Sequence, residues 1–346
     1  MAPPEVVLDR WIKSQAQQRH EFAGYVGKLD LERAFPAFKE LLRFVQDTMN
    51  MALRLENTNA SGGAAHPPFH FDYVEVSDGT KNAHAFQHDG YSFIVATRPL
   101  IELLWDISAK LSGSPIVRQF LGIGDAAVRT EAIHALIFQL QLTFLVSHEY
   151  THHVHRHCES SMAGSTGVWT EFHMDEFAGR IDDQVLELDA DAYGLYLVLA
   201  NFIRGGGREG ALAQLGQQHL SKIDADSLLL TCFFIAVLAF FCAIWPEDIK
   251  MDSVWQLSHP PPPVRIDFTI RVAQLWCSQN ESLPESWFTS DRLQEIFQAV
   301  LAGIRGAGLY GWDAHISFFR GEEGTRYNRK LLEMFEASRK GTQTSV

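Results

Sequence analysis

AIHALIFQLQLTFLVSHEYTHHVHRHC, residues 132–158, decides how the rest of the chain is read. Its first sixteen residues are apolar on almost every side and hold no Asp, Glu, Lys or Arg, which predicts a long helix buried all round. At the end of that helix the sequence turns abruptly to histidine, with His148, His152, His153, His155 and His157 in close succession. His148 and His152 are four apart, so on a helix both imidazoles project from one face and can reach the same ion. Glu149 lies between them in the order H-E-x-x-H, where two histidines hold zinc and the glutamate takes a proton from the water that the zinc acidifies. His155 faces roughly the same way as this pair, and His153 and His157 point elsewhere. All three read as solvated or hydrogen-bonded histidines at a helix C-terminus, where partial positive charge is favourable. Cys158 reads as a thiol of the capping region.

A catalytic zinc usually has three protein ligands and one open position. A glycine turn followed by a histidine six residues after His152 would supply the third, but those positions hold His155 and Cys158. The alternative lies in LELDADAYGLY, residues 186–196, where Glu187 and Asp191 are four apart on one helical face. Glu187 is then the third ligand. Asp191 is expected to accept a hydrogen bond from the outer nitrogen of a ligating histidine. Asp182, Asp183 and Asp189 are the rival ligands nearby, and an ordinary acidic helix face is the plain alternative for the whole stretch.

The remainder of the chain supports a globular protein. With 346 residues and 46% apolar content it can bury a sizeable core. Its 29 basic and 42 acidic side chains give a formal charge of −13 without a basic cluster, which argues against nucleic acid as a partner. The first twenty residues mix charges and lack an apolar export segment, and the four cysteines, Cys158, Cys232, Cys242 and Cys277, form no C-x-x-C pair. Both observations point to the cytoplasm. LLLTCFFIAVLAFFCAIW, residues 228–245, is the one segment long and uncharged enough to be weighed as a membrane span. Its acidic flanks carry no positive-inside signature, which favours a central buried helix, with membrane association as the alternative.

Residues 1–55 read as helical from the spacing in FPAFKELLRFVQDTMNMALRL, and ENTNASGGAAHPP as a loop. FHFDYVEV and NAHAFQHDGYSFIVATRP carry the only strand signals, broken by Asp-Gly pairs. From Leu100 onward the pattern predicts helices near 99–112, 128–157, 183–203, 225–245, 264–279, 290–304 and 326–339, interrupted by GGG and PPPP. The architecture expected is α+β, mostly helical with a small strand region. Its expected parts are an N-terminal helical segment at 1–55, a core at 56–280 and a C-terminal helical extension at 281–346.

Taken together, HEYTH with ELDAD, SHPPPPVRI (residues 258–266) and NAHAFQHDGYSFIVATRPLIELL (residues 82–104) resemble the gluzincin metallopeptidases. Within them the likeness is to the family of the type I CaaX prenyl protease, the bacterial heat-shock membrane protease and their soluble relatives. It runs in the family's order from Asn82 to Arg265 and leaves both ends of the chain outside. The resemblance implies a zincin-like core with one zinc ion on His148, His152 and Glu187, and Glu149 as general base. It also implies that the strand Asn82, Ala83, His84 and Ala85 edges the cleft and pairs with an extended substrate. His259 would bond the oxyanion, and Arg265 would brace that region or the substrate. Members acting on prenylated or membrane proteins carry spans before the zinc helix or between the zinc segments. This chain has none there, so a soluble relative acting on a protein or peptide is expected. The rival expectations are a zinc-containing module that grips a polypeptide without cutting it, and a membrane-associated protease of the same chemistry.

Overall fold

FHFDYVEV forms strand β2 (Phe69–Val76), and seven of its eight residues are buried. A strand with one wet face would alternate, so such burial requires cover on both faces. In the computed structural model, which describes residues 2–18, 24–59, 67–122, 130–157, 168–170, 181–244, 251–257, 259–304 and 318–343, two helices provide it. Helix α1 (Pro4–Gln18) packs Val7, Leu8, Trp11 and Ile12 against Val74 and Val76, and its Trp11 ring stacks on Phe86 at 3.7 Å. Helix α3 (Lys39–Asn59) takes the other face, where Tyr73 Oη donates to the Leu42 carbonyl at 3.1 Å.

Between these helices lie strand β1 (Tyr25–Lys28) and the short helix α2 (Leu31–Ala34), N-capped by Asp30. Both fall inside the stretch expected to be helical. Four residues of strand carry too little pattern to override the helical spacing around them. Strands β3 (Ala83–His88) and β4 (Tyr91–Thr97) form a hairpin around Asp89-Gly90, whose φ values of 45° and 79° suit the tight two-residue turn that Asp-Gly favours. Strand β5 (Val168–Thr170) completes a sheet of order β1-β2-β4-β3-β5, in which only β2 and β4 run parallel. β1 reaches only Val74 to Val76, so the ladder groups of Phe71 need another partner. Asn50 of α3 supplies it, accepting from Phe71 N–H at 2.8 Å and donating to Phe71 C=O at 3.0 Å. A side-chain amide thus closes a sheet edge that would otherwise offer itself for pairing.

Residues 1–103 and 148–173 make one unit of the chain, and 104–147 with 174–346 the other. The second is helical. Helix α4 (Arg98–Gly113) leads through the Ser114-capped α5 (Pro115–Phe120) to α6 (Thr130–Val154), whose last turns belong to the first unit. Helix α7 (Ile181–Leu199) ends in a π-helical turn at Ala200–Arg204, followed by α8 (Gly207–Gln214) and α9 (Lys222–Ala243). Helices α10 (Pro262–Gln279), α11 (Ser290–Ile304) and α12 (Glu322–Gln343) complete the order. The α+β class and the helices expected from Leu100 onward are seen.

α9 carries the apolar segment weighed as a span. By length and composition α6 and α9 could each cross a membrane, and 89% of the apolar window of α9 is buried inside the protein. α6 packs on α9 through Phe144, edge-on to Phe240 and Phe241. The buried Gln141 of α6 accepts from Ser108 Oγ at 2.9 Å and donates to the Ala236 carbonyl of α9 at 3.2 Å, so its amide is not orphaned in the apolar contact. Asp226 near the start of α9 is fully buried and takes Arg208 and Ser282 as partners.

Two interactions set expectations for stability. Asp72 on β2 accepts from Gln46 Nε2 and Tyr73 N–H and lies 2.8 Å from Lys28 Nζ. Burial alone would raise its carboxyl, but His70 and Lys28 outweigh burial and hold it below the ordinary range. A carboxyl depressed on folding stabilises above its unfolded pKa of about 3.9, and that contribution disappears as pH falls through the lower folded value. The stability gap between wild type and Asp72→Asn should therefore be largest near neutrality and shrink below about pH 4 in urea melts; a gap independent of pH would contradict this. In the second unit Tyr327 Oη donates to the buried Gln184 Oε1. Tyr327→Phe strands that oxygen and should lower stability by about 1–3 kcal/mol, measured by denaturant melts.

Candidate metal centre

α6 is apolar up to Val146 and then presents His148, Glu149, Thr151, His152 and His153, all buried. Helical spacing sets His148 and His152 on one face, and their Nε2 atoms lie 3.0 Å apart. Two ligands at about 2.0–2.1 Å from a tetrahedral ion would stand roughly 3.3 Å apart, so this separation suits donors to a common ion. Glu149 occupies the same buried turn and is fully buried itself.

The other histidines have other neighbours, and His155 and His157 fall with Asp189 into a second group of possible ligands, of which His155 is exposed. His153 Nε2 donates to the Phe93 carbonyl of β4 at 2.8 Å, and its ring meets Phe69 edge-on, which ties the end of α6 to the sheet. His157 is buried with Nδ1 at 2.9 Å from His152 Nδ1, and His155 is exposed. Cys158 lies outside the described residues.

α7 contributes Glu187 and Asp191, one turn apart and both buried. Arg265 donates from Nε to Asp191 Oδ2 at 2.8 Å and from Nη2 to Asp191 Oδ1 at 2.7 Å. This planar two-point pairing is the strongest form of the contact. The same guanidinium reaches Glu187 Oε2 at 3.9 Å and sits 4.8 Å over the Phe241 ring. His259 Nε2 is 3.4 Å from Glu187 Oε1. Both Asp191 oxygens accept from Arg265, and the outer nitrogen of His152 lies 2.9 Å from His157 Nδ1. Arg265 is itself 2% exposed, which places it as a brace of the α7 carboxylates.

The proline run acquires a reason. Pro262 and Pro263 open α10 at positions that need no N–H and suit a fixed φ, and Arg265 N–H then bonds back to the Pro261 carbonyl at 3.2 Å. The run therefore starts the helix that aims Arg265 at α7. Gln184, one turn before Glu187, donates to the carbonyls of Val254 and Leu257 at 3.0 and 2.7 Å, which anchors the segment leading to His259. Neither Gln184 nor its partner Tyr327 stands out in the sequence, where Gln184 follows Asp182 and Asp183 at the start of α7.

Among the described residues, His148, His152 and Glu187 form a group whose ligand atoms all lie within 4.8 Å of one another, and all three are buried. This group can hold a metal ion.

No family model, curated protein or solved structure matches this chain.

The expected substrate strand requires a correction. Ala83 to His88 do form β3, but its outer side is taken by β5, with His84, Ala85 and Phe86 opposite Thr170, Trp169 and Val168. The free edge on that side belongs to β5. Asn82 closes the base of the hairpin, donating to Thr97 Oγ1 and accepting from Thr97 N–H, both at 2.9 Å. His84 is buried and bonds Tyr25 Oη. Burial, with the negative charges of Asp78 and Glu149 adding to it, raises the Tyr25 phenol well above its ordinary value.

Removing the brace should be costly. Arg265→Met leaves Asp191 buried without its cation and should lower stability by about 3–5 kcal/mol. Arg265→Met combined with Asp191→Leu should recover much of that loss in metal-free denaturant melts; a double variant weaker than the single one would contradict the pairing.

Proposed function

We propose that this protein is a zinc-dependent metalloendopeptidase. The observation that carries the reading is the buried His148, His152 and Glu187 group with Glu149 in the same helical turn as its two histidines. Two imidazoles and one carboxylate are the donor set of catalytic zinc in this type of peptidase, and the set leaves a position open. Zinc held there would supply Lewis-acid polarisation of a carbonyl and acidify water.

The chain's own groups have distinct parts. Glu149 accepts a proton from the attacking water and returns it to the departing amine, which requires a carboxylate that is ionised at rest. Its full burial keeps bulk water from competing for that proton. Arg265 holds Asp191 at two points and sits near Glu187, so the α7 carboxylates are held in place. His259, whose Nε2 is 3.4 Å from Glu187 Oε1, would donate to negative charge developing on a scissile carbonyl. The substrate is an internal peptide bond of a protein or peptide. The burial of α9 supports a core helix over a membrane span.

Mapping of new peptide N-termini in a cell-extract proteome incubated with zinc-loaded protein tests the reading. Glu149→Gln should bind zinc as wild type does and lose about 10²–10⁴-fold of the cleavage, the usual share of general-base catalysis. Chelation should abolish cleavage, and added zinc restore it. Identical termini from wild type and Glu149→Gln, with zinc bound to both, would replace the protease by a zinc-containing polypeptide-binding module.

A further inference from the structure

His157 lies five residues beyond His152. On a continuing helix that spacing turns a side chain about 140° away, so the two rings could not meet. They meet because the helix stops. His155 N–H closes the last helical turn on the Thr151 carbonyl and Arg156 N–H bonds the His153 carbonyl. Arg156 then takes φ of 60°, in the left-handed region that reverses chain direction at helix ends. The reversal folds residue 157 back onto α6. The result is an Nδ1 to Nδ1 contact of 2.9 Å, with ring centroids 5.0 Å apart at 67°, between side chains that are both buried. A left-handed backbone at arginine is unfavourable, so the turn is retained against a local preference.

We propose that His157 is a positioning residue of the metal centre that fixes the ring tautomer and orientation of His152; this rests on the reading of His148, His152 and Glu187 as metal ligands. The Nε2 atoms of His148 and His152 face each other, so Nε2 is the ligand atom of His152. Its ring proton then resides on Nδ1, which must donate. His157 Nδ1 is the acceptor, which places the His157 proton on Nε2. Outer partners of metal-binding histidines are commonly carboxylates or carbonyls. Asp191, the carboxylate expected to bond one of the two ligating histidines, accepts from Arg265 at both oxygens, whereas His152 Nδ1 has His157 Nδ1 at 2.9 Å. A neutral imidazole holds the ring without adding a negative charge beside the ligand carboxylate Glu187.

Zinc affinity by competition with a chromophoric chelator, on the full chain, separates this role from mere packing. Asn places Oδ1 where histidine has Nδ1 and keeps an acceptor, and Phe fills the space without one. His157→Phe should bind zinc about 10–100-fold more weakly, the usual effect of losing such a partner, and His157→Asn should stay close to wild type. Metal-free thermal melts of the two variants provide the folding control, and should His157→Phe fail to fold, His157→Ala provides the acceptor-free comparison. Wild-type affinity in the acceptor-free variant, or equal weakening in His157→Asn, overturns the proposal while leaving the metal centre intact. Wild-type protein that takes up no zinc, or uptake unaffected by His148→Ala, fails the metal reading itself and the proposal with it.

Discussion

Burying charge is the constraint to which the helical unit answers. Glu187 and Asp191 stand one turn apart inside α7, and an ionised carboxylate taken from water into a protein interior costs several kcal/mol before any partner is counted. Arg265 is the answer to that cost. Its guanidinium meets Asp191 at two points, stands near Glu187 and lies over the Phe241 ring of α9. The partner has to come from a rigid element to be reliable, and the proline run that opens α10 makes it so. An ion among His148, His152 and Glu187 would neutralise the second carboxylate, so metal binding and the stability of α7 are two aspects of one electrostatic requirement.

The same economy of polar groups recurs away from the centre. Gln141 in α6 and Asp226 in α9 each interrupt an apolar helix, and each is satisfied, by Ser108 and the Ala236 carbonyl in one case and by Arg208 and Ser282 in the other. Polar residues at defined points of an apolar interface exclude alternative registers of one helix on another, a specificity that leucine and phenylalanine alone would not impose. Gln184 extends the principle to the centre, since its two donors anchor the segment before His259 while Tyr327 of the C-terminal helix holds its acceptor. The C-terminal helix thus contributes to the architecture one turn from Glu187.

Local pattern carried the sequence reading far. The helices after Leu100 and the strands β2, β3 and β4 were legible because long periodic runs and an Asp-Gly turn speak through neighbouring residues. Strands β1 and β5 were not, since four and three residues hold too little period to be seen. The consequence was largest at β3. Its sequence pattern says strand, but whether a strand is an edge depends on what arrives from elsewhere in the chain, and β5 arrives there.

Sequence alone determined the pairs that lie one helical turn apart: His148 with His152, and Glu187 with Asp191. Helical geometry is local, so spacing is enough to put each pair on one face. Tertiary structure decided the further partners of His152 and Asp191. Arg265 takes Asp191, and the left-handed Arg156 brings His157 to His152. His153, which spacing left as a solvated or hydrogen-bonded histidine at the helix end, bonds a carbonyl of the sheet. Those partners are chosen by chain reversals and by contacts between residues far apart in order, and neither leaves a periodic trace in the residues that make it.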